Sequence, residues 1–174
     1  TVSTSERSSA LNTGAPGALA DSALVDITLV ATSMVVTTLE DQVDGDFSAG
    51  NVALREALME ISGGGAITFA PGLAGTLTID KSLGQLVIDR SLTLTGPGSG
   101  AVTVSGGLET RVLAVEPAPE RAGTVVEISG LTIADGNAGA EGLGGGIRNS
   151  ARLLLRQCRI LGNQARDGGG IHNS

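Results

Sequence analysis

Apolar and polar residues alternate in short runs over most of this chain. Ala66–Phe69, Thr76–Ile79, Leu86–Ile88, Ser91–Leu94, Ala101–Val104, Arg111–Val115, Val125–Ile128 and Leu131–Ile133 are each three to five residues long. Runs this short, rich in Val, Ile, Leu and Thr, predict strands, because alternate side chains of a strand point to opposite faces. Pro71-Gly72 and Gly96-Pro97-Gly98 punctuate them as turns. One segment breaks the period of two. Between Asn51 and Ile61 the residues Leu54, Leu58 and Ile61 fall on one helical face, Asn51 suits the N-cap, and Gly63 suits the stop. Upstream, Leu24–Val30 and Met34–Thr38 are also strand-like.

The strand pattern repeats. Gly144-Gly145-Gly146-Ile147-Arg148-Asn149-Ser150 returns as Gly168-Gly169-Gly170-Ile171-His172-Asn173-Ser174, 24 residues later. Ile133-Ala134-Asp135-Gly136-Asn137 returns, one residue shorter, as Ile160-Leu161-Gly162-Asn163. A period in the twenties, built from short strands and Gly/Asn turns, predicts stacked rungs about 4.8 Å apart. Within one rung Ile147, Leu153, Leu155, Cys158 and Ile160 are expected to face inward, and Arg148, Arg152, Arg156 and Arg159 outward. Asn149 is expected beneath Asn173 in an amide ladder, with the glycine triplets at corners. The predicted fold is all-β: a right-handed parallel β-helix with one N-terminal capping helix, the hand following from the crossover rule. Residues 66–174 suffice for four to five turns at this spacing. The helix would cover the open edge of the first rung.

Several of these segments, taken together, resemble one bacterial family. They are Ile67-Thr68-Phe69-Ala70-Pro71-Gly72-Leu73, Leu92-Thr93-Leu94-Thr95-Gly96-Pro97-Gly98, Ile128-Ser129-Gly130-Leu131-Thr132-Ile133 and the Gly-Gly-Gly-Ile-x-Asn repeats. The set is similar to large secreted right-handed β-helix proteins of the CSLREA-domain type, akin to polymorphic outer-membrane-protein repeats. Leu54-Arg55-Glu56-Ala57 matches the centre of that family's N-terminal motif, with Val52-Ala53 where the motif has Cys-Ser. The resemblance spans about residues 35–174. It implies a secreted or surface-exposed protein, adhesive or structural, in a family mostly without demonstrated catalysis.

Three stretches are expected: a flexible N-terminal arm with a strand-like segment over 1–34, a cap of strand, acidic loop and helix over 35–65, and β-helix rungs over 66–174. The chain stops just after a repeat motif begins, so it is expected to continue further or to be covered by a neighbouring molecule. It starts at Thr1 without Met and without a visible signal peptide, as expected of a processed chain or a fragment.

Charge and composition narrow the function. A net charge of −7 with no basic stripe argues against a nucleic-acid partner. No run of about 18 apolar residues exists to span a membrane. The lone Cys158 cannot form a disulfide within the chain and is expected to be a small core residue. With no Trp or Tyr, and only Phe47 and Phe69, the aromatic platforms of sugar-cleaving grooves are missing. The wall offers Asp80, Asp89, Glu109, Glu116, Glu127, Asp135, Glu141 and Asp167 as carboxylates, but no evident acid pair. His172, the sole histidine, occupies the place of Arg148 one rung on and is expected at the surface. No residue is assigned a catalytic role. Asp41, Asp44 and Asp46, beside Glu40 and around Gly45, are candidate ligands for a structural Ca²⁺, a hard cation that takes oxygen donors; a solvated acidic turn is the alternative. No other cofactor is expected.

The expected function is that of a non-catalytic extracellular or cell-surface protein, structural or adhesive. It would self-assemble by rung stacking or by strand addition from its N-terminal arm. Its expected partners are other copies of itself or cell-surface components, with polysaccharide as a candidate ligand. The alternatives are a glycan-binding module and a polysaccharide lyase or hydrolase.

Overall fold

The computed structural model describes residues 31–140 and 142–174 and shows a parallel β-helix with one short helix. The predicted segment 24–30 and the arm before it lie outside the described residues. β1 (Ala31–Val36) comes first, followed by a loop and α1 (Leu54–Glu60). The first full rung is β2 (Ile61–Phe69), β3 (Gly75–Thr78) and β4 (Leu86–Ile88). The second is β5 (Leu92–Thr95), β6 (Val102–Ser105) and β7 (Leu113–Val115). The third is β8 (Val125–Ser129), β9 (Thr132–Ala134) and β10 (Ile147–Asn149), and the fourth is β11 (Arg152–Arg156), β12 (Arg159–Leu161) and β13 (Ile171–Asn173).

Each strand pairs in parallel with its counterpart in the next rung, giving three sheets: β1-β2-β5-β8-β11, β3-β6-β9-β12 and β4-β7-β10-β13. Alternation sorts the side chains as predicted. Leu77, Val104 and Ile133 stack inward in one column, and Ile67, Leu94 and Ile128 in another, all nearly or wholly buried. In the fourth rung Leu153, Leu155, Cys158 and Ile160 pack against this core while Arg152, Arg156 and Arg159 are exposed. Cys158 is half-buried in the turn between β11 and β12. The predicted amide ladder forms: Asn149, 2% exposed, donates from Nδ2 to Asn173 Oδ1 at 2.5 Å and to the Ala151 carbonyl at 2.8 Å.

The glycine triplets are explained by the neighbouring backbone. Gly144 has φ +66°, and a Cβ there would lie 2.2 Å from the Ile147 carbonyl oxygen. At Gly146 it would lie 2.5 Å from the Gly170 carbonyl oxygen of the next rung. No side chain fits either place.

Two expectations are corrected. Among the described pairings the 24-residue period holds only between β10 and β13 and at the Leu143–Asp167 bridge before them. Ile67 pairs with Leu94, a step of 27, Leu94 with Ile128, a step of 34, and Ile128 with Leu155, again 27. The strands keep register while the connections absorb the difference, because only the inward columns constrain the repeat. The helix is also shorter than predicted. It begins after Ala53, not at Asn51, since the Val52 carbonyl accepts from the Thr37 and Thr38 N–H groups and its N–H donates to Thr37 Oγ1, holding this stretch in the cap. It ends at Glu60, not at Gly63, because Ile61 turns extended and starts β2, where the Gly64 N–H donates to the Ser91 carbonyl at 2.7 Å. Leu54, Leu58 and Ile61 do share a buried face, and α1 packs against β1, β2 and β4 at the first rung.

Candidate functional site

Two buried charged residues of α1, Arg55 and Glu56, tie the acidic loop of the cap to the helix. Arg55, on α1, is 8% exposed. Its Nε and Nη2 each donate to an Asp41 carboxylate oxygen at 2.8 Å, and its remaining donors reach the Leu83, Gly84 and Gln85 carbonyls at 3.3, 2.6 and 3.2 Å. Asp41 Oδ2 also accepts the Asp80 N–H at 2.9 Å. Glu56, 2% exposed, turns back along the helix to accept the Ala53 N–H at 3.1 Å, and its other oxygen accepts the Asp44 and Gly45 N–H groups at 3.0 Å each. Leu54 and Ala57 are buried in the core beside them. The Leu-Arg-Glu-Ala segment is thus a staple: its apolar residues seal the first rung, its arginine holds the turn before β4, and its glutamate closes the acidic loop.

That use determines where the three candidate calcium ligands sit. Asp41 is taken by Arg55. Asp44 accepts from the Asp46 N–H through Oδ1 and from Gln42 and Asn51 side chains through Oδ2. Asp46 accepts the Ser48 N–H, which holds its carboxyl below the ordinary value of 3.8. Among the described residues no group of three or more acidic, His or Cys side chains gathers around one point as a metal site. Asn51, expected as the N-cap, serves this loop instead.

The carboxylates of the wall meet cations rather than one another. Glu116 lies 2.8 Å from Arg148, Glu127 2.7 Å from Arg156, Asp167 2.9 Å from Arg166, and Glu109 3.5 Å from Lys81. Asp80 accepts from Ser82 through both N–H and hydroxyl, the hydroxyl contact being the main cause of its lowered pKa. Asp135 sits at a corner with φ +51°, in register with the Gly162 turn of the following rung. Glu141 lies outside the described residues. His172 is half-buried, in register with Arg148 on the outer face.

Asp89 differs from these, because two arginines share it. Arg90 donates to it at 2.7 and 3.3 Å, and Arg121 at 2.5 Å. The Arg90 hydrogen bond, followed by that from Arg121, pulls the Asp89 pKa below 3.8 against the opposing effect of burial. Neither arginine stands out in the sequence, because each lies in an irregular connection. The only local signal is the Pro117-Ala118-Pro119 break before Arg121.

The chain matches no protein-family model, no curated protein and no solved structure. The class that the coordinates define is a parallel β-solenoid of about five turns. No helix among the described residues is long and apolar enough to cross a membrane.

Proposed function

We propose that this protein is a non-catalytic structural or adhesive component of a bacterial cell surface, of the CSLREA and polymorphic outer-membrane-protein repeat kind, and that it assembles by stacking rungs. The observation that carries this reading is the regular parallel stacking of the rungs, with α1 over the first of them. At one end α1 lies over the first rung, with Leu54 and Leu58 buried. Parallel rungs pair through their backbones, so another copy can extend the same sheets.

The flanks support a structural role. Outward carboxylates pair with arginines of the adjacent rung, as in Glu127–Arg156 and Glu116–Arg148, which brace rung against rung. The alternative assembly route is strand addition by the N-terminal arm; β1, at the edge of its sheet, is paired on one side with β2 of its own chain.

Electron microscopy of the isolated protein at near-native concentration tests the proposal. Filaments or ordered arrays with an axial spacing set by whole rungs are expected. Separate short rods at every concentration would overturn assembly and favour the second class, a glycan-binding module.

A further inference from the structure

The turn from the third sheet into the first is short in two rungs: residues 89–91 join β4 to β5, and residues 150–151 join β10 to β11. Between β7 and β8 it is longer, residues 116–124, and includes a 3-10 turn, Pro119–Arg121. This connection accounts for much of the 34-residue step, and it folds back over the preceding rung. Arg121 Nη1 donates to the Asp89 carbonyl at 3.1 Å and to Asp89 Oδ2 at 2.5 Å. Between overhang and wall lies a depression of about 420 Å³, lined by Gly63, Arg90, Ser91 and residues 121–124. That volume falls within the span of small-ligand sites, roughly 300–1,000 Å³.

The lining specifies a ligand class. Two guanidiniums share the single Asp89 carboxylate, leaving one positive charge over, in a chain of net charge −7. Glu60, near the end of α1, is the next acid to act on Arg90 and has the weakest influence on it. Arg90 is fully committed, with Nη1 on the Ile61 carbonyl at 3.0 Å. Arg121 is not: its side chain is 42% exposed, and its Nε and Nη2 make no hydrogen bond among the described residues. Those two donors form the planar fork that matches a carboxylate in bidentate geometry. Ser91 Oγ accepts the Val125 N–H at 3.0 Å and keeps its own proton to donate. A Cβ at Gly63 or Gly123 would meet nothing within 4 Å, so the floor is open. No aromatic ring lines the depression, so charge and hydrogen bonds, rather than stacking, must hold the ligand.

We infer that this depression binds a small polyhydroxylated carboxylate, a sugar acid, seated on the Nε–Nη2 edge of Arg121. The site lies on the flank of the first two rungs, away from the faces that stacked rungs would share, so it stands or falls independently of rung stacking.

Calorimetry on the full chain at low ionic strength, with galacturonate, its uncharged methyl ester and inorganic phosphate as probes, tests the inference. Galacturonate is expected to bind at least about tenfold more tightly than either of the others, because only it offers both the planar anion and the hydroxyls. Arg121→Ala is expected to remove about tenfold or more of that affinity, and Arg121→Lys to restore only part of it, since an ammonium lacks the fork. Gly63→Leu, which fills open space from a backbone without positive φ, is expected to abolish binding with the thermal transition unchanged. Equal affinity for the ester, phosphate bound as tightly as galacturonate, unchanged affinity in Arg121→Ala or Gly63→Leu, or no binding by any probe would each overturn it.

Discussion

Replacing Arg55 by Met tests how the cap is held. The guanidinium makes two hydrogen bonds to Asp41 and three to the carbonyls of residues 83–85. The two side chains are 10% and 2% exposed, so this is a buried pair and not a surface one. Met fills most of the apolar volume of the arginine stem, so packing changes little. What changes is that the Asp41 carboxylate keeps only the Asp80 N–H at 2.9 Å and loses its counter-charge. Breaking a buried pair from one side costs about 3–5 kcal/mol, because the remaining charge stays desolvated. The double variant Arg55→Met with Asp41→Leu removes both charges and is expected to recover at least half of that loss. In a solenoid, stability is mainly a nearest-neighbour property, so the loss belongs to the first rung. Urea denaturation gives the total, and hydrogen exchange by peptide locates it: amides of β2, β3 and β4 should lose protection while those of β10 and β13 keep theirs. A loss below about 1 kcal/mol, the range of exposed pairs, or a uniform loss of protection along the rod, would refute this account of the cap.

Two further predictions concern the corners and the flank. Gly144→Ala should cost more than about 3 kcal/mol, since it adds a backbone clash 2.2 Å from the Ile147 oxygen to the strain of φ +66°, whereas Gly139→Ala, at φ +75° with nothing within 4 Å, should cost only about 1–2 kcal/mol; equal losses in thermal denaturation would show that the corner is not crowded. Asp89 has a folded pKa below its ordinary 3.8, so the stability it contributes is present above that value and fades as pH falls through the folded pKa. With its side chain 39% exposed, the contribution should stay within about 1 kcal/mol. The stability gap between the protein and Asp89→Asn, measured in urea, should therefore be flat at neutral pH and close below pH 3.8; a gap that widens on acidification contradicts the assignment.

Much of the solenoid is written locally, and its limits are instructive. Leu77-Thr78 and Leu86-Val87-Ile88 alternate clearly enough to reveal which side chains face inward, and the two Gly-Gly-Gly-Ile-x-Asn copies by themselves place Asn149 under Asn173. Alternation and turn chemistry act over two to four residues, so they survive in the sequence whatever the rest of the chain does. Helix limits were less legible, because the bonds from Thr37 and Thr38 to Val52 that postpone α1 come from the residues just after β1, 14 to 15 positions earlier.

The sequence by itself therefore determined the parallel β-helix, its inward columns, its amide ladder and the presence of a capping helix. The tertiary structure alone decided the uneven steps of 24, 27 and 34 residues, and with them which charges meet. Arg55 reaches carbonyls 28 to 30 positions away, and Arg121 reaches Asp89 across 32. Such partners depend on the lengths of the connections between strands, and no hydrophobic period records those lengths. The same dependence set the hydrogen-bond partners of the acidic loop at Asp41, Asp44 and Asp46, because a buried arginine and glutamate from α1 arrive there only once the chain has folded.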